Sequence, residues 1–303
     1  MRTSSEFKTL SIIFLTYGER FSCVEKLMAT LEPYPDEFLE VIAIDNNSTQ
    51  DISGWLTKKF SFVKAFRNKE NIGTARAYNI GIRLSKGRYI MLVNDDCYLK
   101  GRVAEEAVDF LELHPEFAGL GLSLLNPDGT RQLIKLQILS LWPSRVGKPQ
   151  RITFVGTNNF LCRREVFKKV GLFDENYFFF NEDLDWSWRA WKAGVKIYYR
   201  PELTIYHGRD FLENSFSLER FLVRQIADLY FYKKNLPYFF KFIKVFYKTS
   251  LKNKLKKIDR IELYPKLKRL LNVERPNIQN NIYDIQKTLI NGEVKQLLSK
   301  MDL

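Results

Sequence analysis

Four short apolar runs in the first 95 residues constrain the fold more than any other feature of this chain. Each run ends in polar residues, and helical patterns separate one run from the next. This alternation predicts parallel β-strands joined by crossover helices, which is an α/β fold. Because the polar residues follow the strands, we expect them at the carboxyl edge of the sheet, where open α/β sheets bind ligands. The predicted strands cover residues 10–15, 40–44, 63–66 and 89–93.

The pattern changes after about residue 117 and predicts strands added in antiparallel orientation. A segment at 140–151, rich in Pro, Gly, Lys and Arg, predicts a mobile loop. A helix is expected to begin at 183 and another near 101. The signals for the added strands are an apolar run at 119–122, a turn at 126–129 with an alternating return strand, and short runs at 195–199 and 204–206.

Beyond about residue 215 the chain becomes helical, and Pro237 is expected to separate two helices. Of the net charge of +13, residues 241–270 carry +9, from eleven Lys or Arg against two acidic residues. The second helix places apolar residues on one side at helical spacing. We expect residues 237–270 either to lie on an anionic membrane surface or to pack through this side with the lysines solvated. The apolar residues are Phe239, Phe242, Ile243, Phe246 and Tyr247.

Cysteine usage and hydropathy bear on where the protein works. Cys23, Cys97 and Cys162 have no metal-ligand spacing and cannot all pair with one another, which predicts a reduced cytosolic setting. The N-terminus lacks the order of a secretory signal, and no apolar run approaches the roughly 18 residues of a membrane span. We therefore expect a cytoplasmic protein, at most peripheral on the inner face of the cell membrane.

The cluster Asn94-Asp95-Asp96 follows the fourth predicted strand and suits a hard divalent cation, Mg²⁺ or Mn²⁺, because such ions take oxygen ligands. Asp96 is the first choice of ligand, and His207, after the run at 204–206, can add a nitrogen. The alternatives are that the cluster only caps the turn before the helix near 101, and that His207 is an ordinary core or surface histidine.

Other polar residues at the same predicted edge suit a nucleotide. Asp45 follows the second strand and can accept a hydrogen bond from a base or ribose, although capping of a helix explains it nearly as well. Thr16 and Tyr17 end the first strand, and Asn71 begins a loop that enters a helix running to about Ser85. The chain contains neither a phosphate-binding P-loop nor a G-x-G-x-x-G fingerprint, which counts against ATP hydrolysis and dinucleotide chemistry.

A second acidic cluster, Glu182 and Asp183, opens the helix at 183 shortly after the aromatic run at 177–180. A carboxylate beside an apolar wall is where a base can take a proton from a bound hydroxyl. These two carboxylates are the ones expected to face a cleft, since Asp185 can pair with Arg189 four residues on.

Several motifs, in order along the chain, resemble a GT-A-fold, inverting, family 2 glycosyltransferase, and most closely the bacterial rhamnosyltransferase-like branch. The resemblance covers about residues 8–210 and leaves out the basic helical tail. The motifs are SIIFLTY (11–17), VIAIDNNSTQD (41–51), NIGTARAYNIGIRLSKGRYIMLVNDD (71–96), the segment from VGTNNF to WKAG (155–194) and IYH (205–207).

The resemblance implies a role for particular residues. Asp45 matches the acid that contacts the nucleotide base, and Arg76 approximates a base-contacting arginine. Asp96 matches the last Asp of the DxD-type metal motif, and His207 matches a histidine that in some relatives joins the metal or diphosphate site. Asp183 matches the catalytic base. Thr16, Tyr17, Asn71, Asn94 and Asp95 are then expected around the nucleotide.

The resemblance also implies an organisation and a reaction. Residues 1–215 would be the catalytic domain, with a nucleotide-sugar half at about 8–100 and an acceptor half at about 101–215, followed by a basic helical region at 216–303. The reaction would move one sugar from dTDP-rhamnose or a UDP-hexose to a hydroxyl of a glycan or lipid-linked glycan, in bacterial surface polysaccharide synthesis. The Gln-x-x-Arg-Trp signature of processive synthases is absent from the sequence.

Two rival functions stay open at this point. A sugar nucleotidyltransferase would use the same sheet edge and metal, but it does not explain Glu182 and Asp183. A non-catalytic basic protein that binds membrane surfaces or nucleic acid would explain the charged tail, with the acidic clusters as caps. Nucleic acid is not the expected partner, because no recognised binding motif accompanies the charge. A homo-oligomer is compatible with the sequence.

Overall fold

The computed structural model describes residues 9–137, 147–208, 218–257, 263–268, 271 and 282–291. Within these residues nine β-strands form one sheet. The strands are β1 Leu10–Thr16, β2 Leu39–Asp45, β3 Val63–Arg67, β4 Tyr89–Asn94, β5 Cys97–Leu99, β6 Gly119–Leu125, β7 Gln150–Ile152, β8 Phe160–Arg163 and β9 Ile197–His207.

Helices connect the strands of the first half and dominate the C-terminal part of the described chain. They are α1 Phe21–Leu31, α2 Ile52–Lys59, α3 Gly73–Leu84, α4 Val103–Leu113, α5 Glu165–Val170, α6 Glu182–Lys192, α7 Leu218–Asn235, α8 Pro237–Lys257, α9 Tyr264–Leu267 and α10 Ile282–Ile290. The break between α7 and α8 confirms the expected separation at Pro237. None of the helices in these ranges is long and apolar enough to cross a membrane.

The strand order is β3-β2-β1-β4-β8-β6-β9-β5, with β7 also paired to β9. The first four strands in this order are mutually parallel, whereas β8 is antiparallel to both neighbours and β5 and β7 are antiparallel to β9. β2 is buried along its whole length, as expected for an apolar strand covered on both faces. The predicted α/β class, with a mostly parallel sheet, added antiparallel strands and C-terminal helices, is confirmed.

The added strands depart from the expectation in three places. Within residues 130–137 no return strand follows the 126–129 turn, because β6 already pairs with β8 and β9, and an isolated bridge joins Leu125 to Arg131. The two short runs near 195–206 are a single strand, β9, whose pairing with β6 shifts register between Leu122 and Ser123. Of the predicted loop at 140–151, residues 140–146 lie outside the described residues, and Gln150–Ile152 is β7.

Contacts group the chain into two compact units. The first contains the described residues of 1–72, 76–173 and 186–213, and therefore the whole sheet. The second contains 73–75, 174–185 and the described residues of 214–303, which include α7 to α10. The short segment 174–185 is thus grouped with the C-terminal helices. The predicted domain limit near residue 215 stays a prediction.

Candidate active site

Strand register places the predicted sheet-edge residues together in the first unit. Thr16 pairs with Asp45 across β1 and β2, and Leu15 pairs with Asn94 across β1 and β4. The turn that follows Asn94 carries Asp95 and Asp96, both buried. These residues do not cap α4, because β5 intervenes and α4 begins after Arg102. A role for this cluster as the cap of helix α4 is therefore excluded.

Arg20, in the connection after β1, binds both carboxylates of this turn. Its Nε and Nη2 donate to Asp95 at 3.3 and 3.1 Å, and Nη2 lies 3.2 Å from Asp96 Oδ2. Burial raises the pKa of Asp95 to about 6, although the charge of Arg20 acts in the opposite direction. Sequence reasoning missed Arg20, because nothing in its neighbourhood marks it apart from its position in a loop after a buried strand.

His207 ends β9, and Gln132 fixes the orientation of its ring. Gln132 Nε2 donates to the backbone oxygens of His207 at 2.9 Å and Leu125 at 3.3 Å, which leaves Oε1 to accept from His207 Nδ1 at 3.1 Å. The Nε2 of a neutral His207 therefore carries a lone pair. This atom lies 3.2 Å from Asp96 Oδ1. Two acceptors at this distance repel each other unless a cation binds between them or His207 takes up a proton.

The donor set at this point fits a divalent cation. Ligand atoms of Asp96, Cys97 and His207 lie within 4.8 Å of one another, and all three residues are buried. Mg²⁺ and Mn²⁺ prefer oxygen ligands to a thiol, and Cys97 Sγ donates to the Asn158 backbone oxygen at 3.8 Å. Asp96 and His207 are then the side chains that would hold the ion, with Gln132 orienting His207 as ligating histidines commonly are. We call Arg20, Asp95, Asp96, His207 and Gln132 the sheet-edge cluster.

Asp45 is fully buried at the end of β2. Its Oδ1 accepts a hydrogen bond from the Ser48 N–H at 2.7 Å, while Oδ2 lies 3.8 Å from Arg67 Nη1 and accepts no hydrogen bond from the described residues. The residue that caps α2 is Asp51, whose side chain accepts from the Gly54 N–H. Asp45 therefore does not cap that helix, and its Oδ2 can still accept a hydrogen bond.

The other predicted nucleotide residues have mixed surroundings. Asn46 Nδ2 donates to Asn71 Oδ1 at 2.7 Å, so the loops after β2 and before α3 are tied together. Asn94 Nδ2 lies 3.4 Å from His207 Nε2. Tyr17 is exposed and Arg76 is half-buried on α3. Their part in nucleotide binding stays a prediction.

Glu182 and Asp183 open α6 and belong to the second unit. Glu182 is buried, and its Oε2 accepts no hydrogen bond within the described part of the chain. Asp183 is half-buried, and its Oδ1 accepts from the Leu184 N–H at 2.7 Å. Burial and the charge of Asp183 raise the pKa of Glu182. Of the two carboxylates, Asp183 is therefore the more accessible, and Glu182 is the one whose protonated form is favoured by burial.

The loop that leads into α6, which we call the 178–181 loop, has an unusual backbone. Phe180 and Asn181 have φ angles of 67° and 66°, in the left-handed region that costs non-glycine residues free energy. Asn tolerates this conformation better than Phe does. Two consecutive residues of this kind persist only where surrounding contacts hold them.

Gln286, fully buried on α10, provides several of those contacts. The Phe178 N–H donates to Gln286 Oε1 at 2.8 Å. Gln286 Nε2 donates to the backbone oxygens of Phe179 and Val223, each at 3.1 Å. One side chain thus links three backbone groups of the second unit, two of them in the 178–181 loop.

Gly73 and Thr74 add a contact from the start of α3. The Thr74 N–H donates to the Phe178 oxygen at 2.7 Å. A Cβ atom at Gly73 would lie 2.4 Å from that oxygen, and the φ angle of Gly73 is 75°. Only glycine fits this close approach. The backbone of Phe178 is therefore held on both its N–H and its carbonyl side.

Asp228, on α7, holds the end of the same loop. Its Oδ1 accepts from Asn181 Nδ2 at 2.7 Å, and its Oδ2 accepts from the Tyr247 hydroxyl at 2.8 Å. Asp185, one turn into α6, is fully buried and lies 2.7 Å from Lys234 Nζ. Sequence reasoning missed Gln286, Asp228 and Lys234, because no local pattern connects them to the loop.

Comparisons with known proteins agree with this architecture. The structure of S. aureus TarS 1-349 in complex with UDP matches with a TM-score of 0.58 and 16% identity, over 94% of this chain and 92% of that chain. The structure of GalNAc-T7 with UDP, GalNAc and Mn²⁺ matches with a TM-score of 0.56 and 18% identity, over 77% of this chain and 53% of that chain, so this chain spans about half of it. The fold is that of GT-A glycosyltransferases.

Sequence comparison gives the family. The family model described as "Glycosyl transferase family 2" matches residues 11–171, and the chain belongs to that family. The N-acetylglucosaminyl-diphospho-decaprenol L-rhamnosyltransferase of Mycobacterium tuberculosis (strain CDC 1551 / Oshkosh) is 24% identical over 232 residues, which are 65% of this chain and 75% of that protein. The protein is therefore a glycosyltransferase, and the resemblance drawn from its motifs is confirmed.

Proposed function

We propose that the enzyme is a metal-dependent, inverting glycosyltransferase that moves one sugar from a nucleotide-diphosphate-sugar to a hydroxyl of a lipid-linked glycan. The observation that carries this proposal is the 3.2 Å approach of Asp96 Oδ1 to His207 Nε2, which are both acceptor atoms when the imidazole is neutral. Such a pair of acceptors suits a cation, and Mn²⁺ or Mg²⁺ is the cation that commonly accompanies phosphate oxygens.

The donor would bind at the carboxyl edge of the sheet. Asp45 Oδ2, which accepts no hydrogen bond from the residues that the structure describes, suits the N–H of a uracil or thymine base. Arg20 supplies a fixed positive charge beside the two carboxylates and suits a diphosphate oxygen. TarS and GalNAc-T7 have been crystallised with UDP, which supports this class of donor. We assign contacts with the remainder of the nucleotide to Thr16, Tyr17, Asn71, Arg76, Asn94 and Asp95.

The proposed transfer is a single displacement. Asp183 accepts the proton of the acceptor hydroxyl while that oxygen attacks the anomeric carbon, and the bond from this carbon to the diphosphate oxygen breaks. When bound, the metal ion neutralises negative charge on the departing diphosphate. Because attack comes from the face opposite the leaving group, the product has the inverted configuration. Glu182, buried and with a raised pKa, stays protonated and does not compete for the proton.

The acceptor class rests on the relatives. The mycobacterial relative is named for an N-acetylglucosaminyl-diphospho-decaprenol, which is a lipid-linked sugar. We propose an acceptor of the same chemical class for this enzyme, with dTDP-rhamnose or a UDP-hexose as donor, in bacterial surface polysaccharide synthesis. If the acceptor is held in a membrane, contact between residues 237–270 and an anionic membrane surface would bring the enzyme to its acceptor.

A thermal-shift screen tests the proposal. The protein is heated with UDP-glucose, UDP-N-acetylglucosamine or dTDP-rhamnose, each with Mn²⁺, with Mg²⁺ or with a chelator. We expect at least one donor to raise the melting temperature, because a ligand that binds only the folded state stabilises it, and we expect the chelator to abolish the rise. If no nucleotide-sugar raises the melting temperature with either cation, the proposal is wrong.

A further inference from the structure

Helix α8 exposes a run of large apolar side chains. Phe240, Leu251 and Leu255, on one side of the helix, are buried. The other side carries an exposed aromatic patch, in which the fractional exposure is 92% for Tyr238, 62% for Phe239, 79% for Phe242, 64% for Val245 and 68% for Phe246.

Helical spacing places this patch on one face. Positions i, i+1, i+4, i+7 and i+8 span roughly a third of a helix circumference. The exposed aromatic patch is not the side through which α8 packs, because the opposite side of the helix is the one that is buried. Phe240 is buried, and the Tyr247 hydroxyl donates to Asp228 at 2.8 Å. Contiguous exposed apolar surface of this kind marks an interaction site.

The charge of the helix indicates what the partner is. The sequence of α8 contains seven lysines and no acidic residue. Lys241, Lys252, Lys256 and Lys257 are exposed. Lys241 and Lys252 flank the exposed aromatic patch on the helix surface, and Lys256 and Lys257 follow it at the C-terminal end of the helix. A partner surface must therefore be apolar within and anionic at its border.

We propose that the exposed aromatic patch inserts into the interface of an anionic lipid bilayer, where the surrounding lysines meet lipid phosphates. Aromatic side chains favour the headgroup level of a membrane, and basic residues beside them add attraction to anionic lipids. A second copy of the chain fits less well, because a symmetric pairing through the patch would bring two sets of seven lysines together. The inference rests on the proposed function in one respect only, which is that a lipid-linked acceptor explains why the enzyme would dock to a membrane.

The test is sedimentation of the full-length protein with vesicles of phosphatidylcholine alone or of phosphatidylcholine mixed with phosphatidylglycerol. We expect the protein to pellet with the mixed vesicles at low salt and to stay in the supernatant with the neutral ones. Replacing Phe242 and Phe246 by Ser, or Lys241, Lys252, Lys256 and Lys257 by Gln, should each weaken vesicle binding at least about 10-fold.

Leu113→Ser, at an exposed leucine of α4, and Lys58→Gln, at an exposed lysine of α2, are the matched controls and should bind vesicles like the wild type. All variants should melt at the wild-type temperature and keep any stabilisation by nucleotide-sugar, which separates a failure of docking from a failure of the proposed function. Equal recovery in the supernatant with both kinds of vesicle would overturn the inference. So would a dimer that dissociates when Phe242 and Phe246 are replaced by Ser.

Discussion

The sheet-edge cluster and the 178–181 loop differ in how the chain builds them. Asp95 and Asp96 follow the end of β4, and His207 ends β9, so regular strand pairing fixes their positions. The 178–181 loop instead depends on side chains from distant helices, with Gln286 lying 108 residues beyond Phe178 in the sequence. The binding residues at strand ends are thus positioned by local sequence pattern. The proposed base, in contrast, comes after a loop that is held by contacts between residues far apart in the sequence.

The difference extends to backbone strain. Asp95 and Asp96 lie in a short turn between strands and His207 ends a strand, whereas Phe180 and Asn181 have left-handed φ angles. Each such residue costs on the order of 1–3 kcal/mol, and only surrounding structure keeps it there. The bonds from Gln286 and Asp228 provide that structure. We therefore expect damage to the loop to change turnover more than nucleotide affinity, and damage to the edge to do the reverse.

The largest expected effect on affinity comes from Asp96→Ala. Loss of this carboxylate should weaken metal-dependent binding of UDP or dTDP by at least about 100-fold, because changes in groups that merely orient a metal ligand already cost roughly 10–100-fold. Calorimetry with Mn²⁺ measures the affinity. Asp128→Ala, in an exposed turn, is the control. Unchanged affinity in Asp96→Ala would show that this residue does not take part in binding. It would also contradict the proposed difference between the sheet-edge cluster and the 178–181 loop.

A smaller effect, on turnover alone, is expected from Gln286→Ala. The variant removes three hydrogen bonds from the second unit, and a displacement of about 1 Å at a reacting group can cost up to about 100-fold in rate. The measurements are kcat for sugar transfer and the affinity for UDP with Mn²⁺. Leu289→Ala, at a buried leucine of the same helix, creates a cavity without removing these bonds. If both variants lose turnover equally, Gln286 acts through stability and not through position.

The smallest expected effect concerns pH and Glu182. Its pKa is raised by burial and by Asp183, so the folded protein holds this proton more tightly than the unfolded chain does. The contribution of Glu182 to the free energy of unfolding should therefore be fully present below the ordinary pKa of a glutamate and should be lost as pH rises toward the raised pKa, by up to about 1.4 kcal/mol per pH unit. Glu182→Gln should flatten this dependence in denaturant titrations, and the exposed Glu106→Gln should not. A wild-type slope in Glu182→Gln would contradict the assignment.

The same contrast explains how much the sequence could predict. The four parallel strands were predictable within a residue or so, because apolar runs ending in polar residues are a strong local signal. Asp96 and His207 were expected at one edge for that reason, and the structure brings them together. Gln132 and Arg20 were not predicted, since a single glutamine or arginine in a connection carries no distinguishing pattern.

Features that depend on contacts between distant residues could not be predicted from the local sequence pattern. The predicted return strand after residue 129 failed because strand pairing is decided by which edges are free, and both edges of β6 are occupied. Exposure of Phe239, Phe242 and Phe246 could not be separated from burial by spacing alone, because Phe240 on the opposite side of α8 is the residue that packs inward. An amphipathic helix with apolar residues on two sides gives an ambiguous pattern.

If the sheet-edge cluster serves nucleotide binding and Asp183 serves proton transfer, Asp183→Asn separates the two. The variant keeps the shape of the side chain and removes the base, so kcat for sugar transfer should fall by roughly 10²–10⁴-fold while the affinity for UDP with Mn²⁺ stays at the wild-type value. Asp185→Asn, which alters a buried carboxylate paired with Lys234, should lower stability and leave much more of the turnover. Wild-type turnover in Asp183→Asn, or loss of activity in Asp185→Asn alone, would contradict the account.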